Sequence, residues 1–146
     1  MADEVCELPG FIPPDERIRE ILEGYRTLAV VGLSRHPDKP SHFVPKYLQR
    51  HGYKIIPVNP TTQEPLLGEQ IYATLSEIPQ QVEVVNIFRP SEEVPAIVQE
   101  AISIGAKVIW MQEGIVHQQA AKKAMDAGII VVMNRCMMKE HQRLER

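Results

Sequence analysis

Gly32, Ser34, Arg35, Lys39 and Ser41 lie within ten consecutive positions and together have the chemistry of a phosphate cradle. A glycine lets backbone N–H groups approach a ligand closely, and serine hydroxyls donate hydrogen bonds. Arginine and lysine add full positive charge. Charge-assisted hydrogen bonds of this kind contribute about 1.5–3 kcal/mol each. Arg89, much further along, offers another cation. Taken singly, Arg35 and Lys39 also fit a solvated turn.

The segments on either side say how these residues are held. Leu28–Val31 is a short apolar run of the type a strand buried on both faces requires. Phe43, Val44, Tyr47 and Leu48 follow at helical spacing and are expected to share one face. Strand, glycine turn and helix in that order leave backbone N–H groups free and aim the positive end of a helix dipole at the turn. A phosphorylated ligand is the expected occupant.

The rest of the chain repeats the alternation. Met1–Pro14 is expected to be an extended arm, and Pro14–Tyr25 a helix burying Ile18, Ile21 and Leu22. Further strands are expected at Tyr53–Val58, Val82–Phe88, Lys107–Met111 and Ile129–Met133. Helices are expected at Ser91–Ile104, with Ser91 as N-cap, and at Val116–Ala127. Thr61–Ile78 reads as a loop with a short helix at Thr74–Ile78, and Cys136–Arg146 as a frayed terminal helix. Five strands alternating with helices predict an α/β fold: a Rossmann-like doubly wound parallel sheet with helices on both faces. The 146 residues are expected to form one domain, with an arm and helix at 1–26, a core at 27–136 and a tail at 137–146.

Composition narrows the function. A net charge of −3 argues against general nucleic-acid binding. No apolar run approaches the ~20 residues of a membrane span, and the acidic start lacks the pattern of a secretory signal, so a cytoplasmic location is expected. Cys6 and Cys136 are too few for a disulfide framework, and no metal-ligand spacing occurs. The dinucleotide fingerprint is missing: only Gly32 stands after the first strand, and Asn59 rather than an acid ends the second. The phosphate loop of ATPases is missing too.

Ligands in such sheets bind at the carboxyl ends of the strands. Those ends hold Asn59 and Pro60, then Phe88, Arg89 and Pro90, then Gln112, Glu113 and Gly114, although each group also reads as an ordinary strand terminator. The ordered strings VVGLSRHPDKPS, IIPVNP, VEVVNIFRPSEEVP and AKVIWMQEGI resemble the small stand-alone CoA-binding domain proteins. They are also similar to the N-terminal domain of the succinyl-CoA synthetase alpha subunit. The resemblance runs over about Leu28–Cys136. It implies a CoA-binding Rossmann-like fold, with coenzyme A or an acyl-CoA as partner. By position, Gly32, Ser34 and Lys39 would hold the phosphates, assisted by Ser41. Asn59 and Pro60 would shape the crevice beside the nucleotide. Phe88, Arg89 and Pro90 would line the next strand end. Trp110, Gln112, Glu113 and Gly114 would lie on the pantetheine side.

The synthetase carries its reaction through a phosphorylated histidine on a second domain, for which these residues are expected to be too few. His36, His42, His51, His117 and His141 read as surface or turn residues, with His36 and His42 flanking the phosphate turn. A CoA-binding module without catalysis is therefore expected. An enzyme acting on a CoA thioester through Cys136 or His36, and an NAD-binding regulator, are the alternatives.

Overall fold

The computed structural model describes residues 13–62 and 64–145; most of the expected arm lies outside them. Five strands, β1 (Thr27–Val31), β2 (Lys54–Val58), β3 (Val84–Ile87), β4 (Val108–Met111) and β5 (Ile130–Val132), pair in parallel in the order β2-β1-β3-β4-β5. The helices are α1 (Asp15–Gly24), α2 (Pro40–Arg50), α3 (Val94–Ser103), α4 (Gln118–Asp126) and α5 (Met137–Leu144).

Each strand feeds two cores, which is why its sequence is apolar without alternation. Leu28, Val30, Val84 and Trp110 face α1, α2 and α5, where Ile18, Ile21, Leu22, Leu48 and Met137 are buried. Ala29, Val85 and Ile109 face α3 and α4, against Val98, Ala101, Ala121 and Ala124. The fold is the doubly wound parallel sheet that the strand–helix alternation predicts. Because β2 and β3 flank β1 on opposite sides, the connections leaving β1 and β2 diverge. A crevice opens at the carboxyl ends of β1 and β3, the switch point where ligands sit in sheets of this order.

β2 is an edge strand, and its outer side is occupied. The Tyr72 N–H donates to the Pro57 carbonyl at 3.0 Å, and the Asn59 N–H to the Tyr72 carbonyl at 2.9 Å. Pro57 itself has no N–H to offer on that side.

Several local expectations change. Phe43 is 39% exposed, while Val44 and Leu48 carry the inward stripe of α2. The Ser91 helix begins as a single 3-10 turn, Ser91–Glu93, before α3. Ser91 does not cap it: its hydroxyl accepts the Val116 N–H at 3.1 Å and so ties two strand-end loops. The following helix starts at Gln118, capped by His117, whose Nδ1 accepts the Ala120 N–H at 3.1 Å. The short helix after β2 is a 3-10 turn at Leu75–Glu77. The terminal helix is packed rather than frayed. Met137 and Glu140 are buried, and Arg143 forks onto Asp15 at 3.0 and 2.8 Å while reaching Glu140 at 2.7 Å.

Candidate functional site

Gly32 ends β1 with a φ of +95°, a conformation that disfavours L side chains. A Cβ there would stand 2.8 Å from Arg89 Cδ and 3.1 Å from the Phe88 carbonyl oxygen. The turn beyond it is built from its own polar groups. The Ser34 N–H donates to the Ser41 carbonyl at 3.0 Å, and the Ser34 hydroxyl accepts the His36 N–H at 3.0 Å. His42 Nδ1 lies 2.6 Å from the Ser34 carbonyl oxygen, so that nitrogen carries the proton.

Asn59 and Arg35 fasten this turn to the loop after β2. The Asn59 amide donates to the Leu33 carbonyl at 3.1 Å, and its oxygen accepts from the Thr61 N–H and hydroxyl at 2.9 and 2.6 Å. Arg35 donates to the Thr62 hydroxyl at 2.6 Å and lies 3.8 Å from the Glu64 carboxylate. Lys39 is different. It is the N-cap of α2, with Pro40 at the first helical position, and its exposed ammonium has no partner among the described residues. The Ser41 hydroxyl has none either.

Beside the turn lies a cleft of about 260 Å³. Val31 and Val58 form its strand-end lining, with Leu75 beside them. The α3 side contributes Glu93, Ile97 and Glu100, and the loops after β2 contribute Asn59, Pro60, Thr61 and Thr74. Arg89 crosses the mouth over Gly32 and is held by a two-pronged ion pair: Nε and Nη2 donate to the two Glu93 oxygens at 2.9 and 2.8 Å. That hydrogen bonding holds the Glu93 carboxyl below the usual carboxylate range and pushes the guanidinium up. Glu100 accepts from the Ser76 N–H and hydroxyl at 3.3 and 3.0 Å through one oxygen, Oε2.

Of the residues expected from sequence, Gly32, Asn59, Pro60 and Arg89 line the cleft. Ser34, Arg35, Lys39 and Ser41 gather on the adjoining turn. Pro90 is exposed at the end of β3. Phe88 packs on the α1–α2–α5 face, away from the cleft lining. Trp110 is fully buried there, and its indole N–H donates to the Arg135 carbonyl at 2.8 Å. Gln112 is buried with its oxygen accepting the Met137 N–H at 3.2 Å. Glu113 holds Lys139 through both oxygens at 3.1 Å, and the Gly114 N–H donates to Asn134 Oδ1 at 2.7 Å. These last residues join the β4 and β5 ends instead of lining the cleft. Glu93, Ile97 and Glu100 escaped sequence reasoning as a cleft wall. Their i, i+4, i+7 spacing was the available signal.

The sequence model of the CoA binding domain family matches residues 26–142. The protein YneT of Bacillus subtilis is 41% identical over 129 residues, covering 88% of this chain and 95% of its own. A structure of a hypothetical protein from Pyrococcus horikoshii OT3 superposes with a TM-score of 0.89 at 44% identity, covering 95% of this chain and 97% of that one. The ADP-forming acetate–CoA ligase I subunit alpha of Pyrococcus furiosus is 33% identical over 95 residues, which are 62% of this chain but only 21% of that subunit. With the family match spanning most of its length, this chain belongs to the CoA binding domain family.

Proposed function

We propose that the chain binds coenzyme A, or an acyl-CoA, at the β1–β3 switch point, with its phosphates at the turn between Gly32 and Ser41 and without catalysis of its own. The carrying observation is Lys39. Its neighbours Arg35 and Arg89 are paired with acids, whereas Lys39, at the N-terminus of α2, and the Ser41 hydroxyl beside it have no partner among the described residues. A free ammonium, a hydroxyl and a helix N-terminus together suit a phosphate group. Membership in the family supports the same ligand.

The residues fit CoA better than NAD. Asn59 stands where a ribose-holding acid would be needed, and both ends of its amide are engaged in holding loops. Of the two side chains considered for thioester chemistry, Cys136 is buried and His36 is exposed on the turn. Among the described residues no helix is long and apolar enough to cross a membrane.

Calorimetric titration with CoA, with NAD and ATP as controls, tests this reading. Saturable binding of CoA alone supports it, and binding of NAD without CoA overturns it. Incubation with acetyl-CoA and succinyl-CoA should release no thiol; turnover would replace the module with an enzyme.

A further inference from the structure

Helix α2 carries two stripes. Val44 and Leu48 are buried against the sheet, whereas Phe43, Lys46, Tyr47 and Arg50 fall at i, i+3, i+4 and i+7 and face away from it. With His51 these four line an open groove of about 300 Å³, which reaches Pro37 and His42 toward the start of the helix. Phe43 is one of only two large apolar side chains left exposed among the described residues. An aromatic ring and two cations on one helix face are more than solubility requires.

The aromatic wall is held from behind. The Tyr47 and His51 rings stack with centroids 4.1 Å apart, and His141 of α5 meets them edge-on at 5.4 and 4.9 Å. His141 Nδ1 lies 2.8 Å from the Tyr47 hydroxyl, and His51 Nδ1 lies 2.8 Å from the Tyr47 carbonyl oxygen. Side chains fixed in this way lose little freedom when something covers them. The charge is one-sided as well. Between Asp38 and Glu64 the sequence has no acidic residue, yet it places Lys39, Lys46, Arg50 and Lys54 there, in a chain whose net charge is −3. Lys54 is held by Glu69 at 3.4 Å, but Lys46 and Arg50 have no partner among the described residues. No carboxylate among those residues lines the groove.

We propose that this groove docks an acidic segment of another protein, one in which a large apolar side chain stands between carboxylates. The apolar side chain enters between Phe43 and Tyr47, and the carboxylates meet Lys46 and Arg50, whose guanidinium can hold two oxygens at once. Charge complementarity sets the partner's sign, and aromatic residues beside arginine are the usual anchors of such interfaces. The volume lies at the lower limit of ~300 Å³ for small-ligand pockets, which suits one side chain and not a folded surface. A nucleic acid matches less well, because two cations beside an aromatic wall form a spot and not a row that follows a phosphate backbone. The groove shares no lining residue with the cleft, so the proposal stands apart from the CoA reading.

Amide NMR titration of the unmodified protein tests this with three synthetic peptides: glutamates around a central tryptophan, the same peptide with alanine at the centre, and the same with lysine for every glutamate. The first should give saturable shifts confined to Phe43–His51 and their neighbours. The alanine peptide should bind about tenfold more weakly, and the lysine peptide should leave these resonances unmoved. Added CoA should leave the shifts in place. Arg50→Glu should cost about tenfold or more in affinity for the first peptide, and Phe43→Ala should cost several-fold. No shift with the first peptide overturns the proposal, as does an equal response to the lysine peptide. Loss of the shifts on adding CoA would return the groove to the nucleotide site. Tighter binding of octauridylate at the same residues would replace the acidic segment with nucleic acid. Concentration-dependent shifts of Phe43–His51 without any peptide would replace it with a second copy of the chain. The peptide comparisons on the unmodified protein decide the matter even where a variant misfolds.

Discussion

Arg89 lies across Gly32 so closely that no Cβ fits between them: the added carbon would stand 2.8 Å from Arg89 Cδ. The same arginine is locked onto Glu93, so it has little room to retreat without breaking two hydrogen bonds. The end of β1, the mouth of the cleft and the first turn before α3 are thus one packed unit.

Gly32→Ala tests this unit. A side chain at a φ of +95° is strained by about 1–2 kcal/mol, and displacing Arg89 adds to that. Urea unfolding should show a stability loss of about 1–3 kcal/mol with an unchanged m-value. CoA affinity should fall as well. An alanine variant as stable as the parent would show that Arg89 moves aside freely.

Lys39→Ala removes the ammonium while leaving the N-cap backbone in place. The dissociation constant for CoA should rise about tenfold, and the far-UV spectrum should not change. Affinity should also depend less on salt than in the parent, because one screened charge contact is gone. Unaltered affinity would remove Lys39 from the site.

Glu93→Gln has the opposite sign. It withdraws a fixed negative charge from the cleft mouth and loosens the hold on Arg89, so CoA should bind about three- to tenfold more tightly. Because Arg89 holds the Glu93 carboxyl below the usual range, the parent should keep its lower affinity from pH 8 to pH 5. Weaker binding by the variant would mean that Glu93 positions Arg89 for the ligand.

His141 gives a pH dependence far from the cleft. Burial, with added repulsion from His51 and Arg26, depresses its pKa below the ~6.5 of a free imidazole. Its Nδ1 lies 2.8 Å from the Tyr47 hydroxyl. Between the two pKa values the unfolded chain binds a proton that the folded chain does not, so stability rises with pH and is lost as pH falls through about 6.5. Melting temperature should therefore drop between pH 7.5 and 5.5, and the drop should shrink in His141→Gln. Parallel profiles for the two proteins would exclude His141 as the source.

The sheet was legible because a parallel strand buried on both faces must be apolar throughout, and the runs ending at Val31, Val58 and Met111 meet that demand. The glycine turn was legible because Gly32 interrupts an apolar run just ahead of a helical pattern. What could not be read was direction. In Val108–Met111 alternate residues face opposite cores, and nothing in the sequence says that Trp110 goes under α5 rather than into the crevice. The same holds for Phe43, placed by spacing on the inward stripe yet left at its margin. Polar residues near a helix start were ambiguous for a related reason. Ser91 and His117 both have capping chemistry, and only tertiary placement decides that His117 caps while Ser91 receives an N–H from another loop.

The covered edge of β2 also bears on how the chain behaves when crowded. Exposed sheet edges are templates for strand addition by other molecules, and the first steps of fibril formation use them. Here Pro57 has no outward N–H, and its carbonyl is already taken by Tyr72. The loop that closes one side of the cleft therefore doubles as a guard against aggregation along this edge.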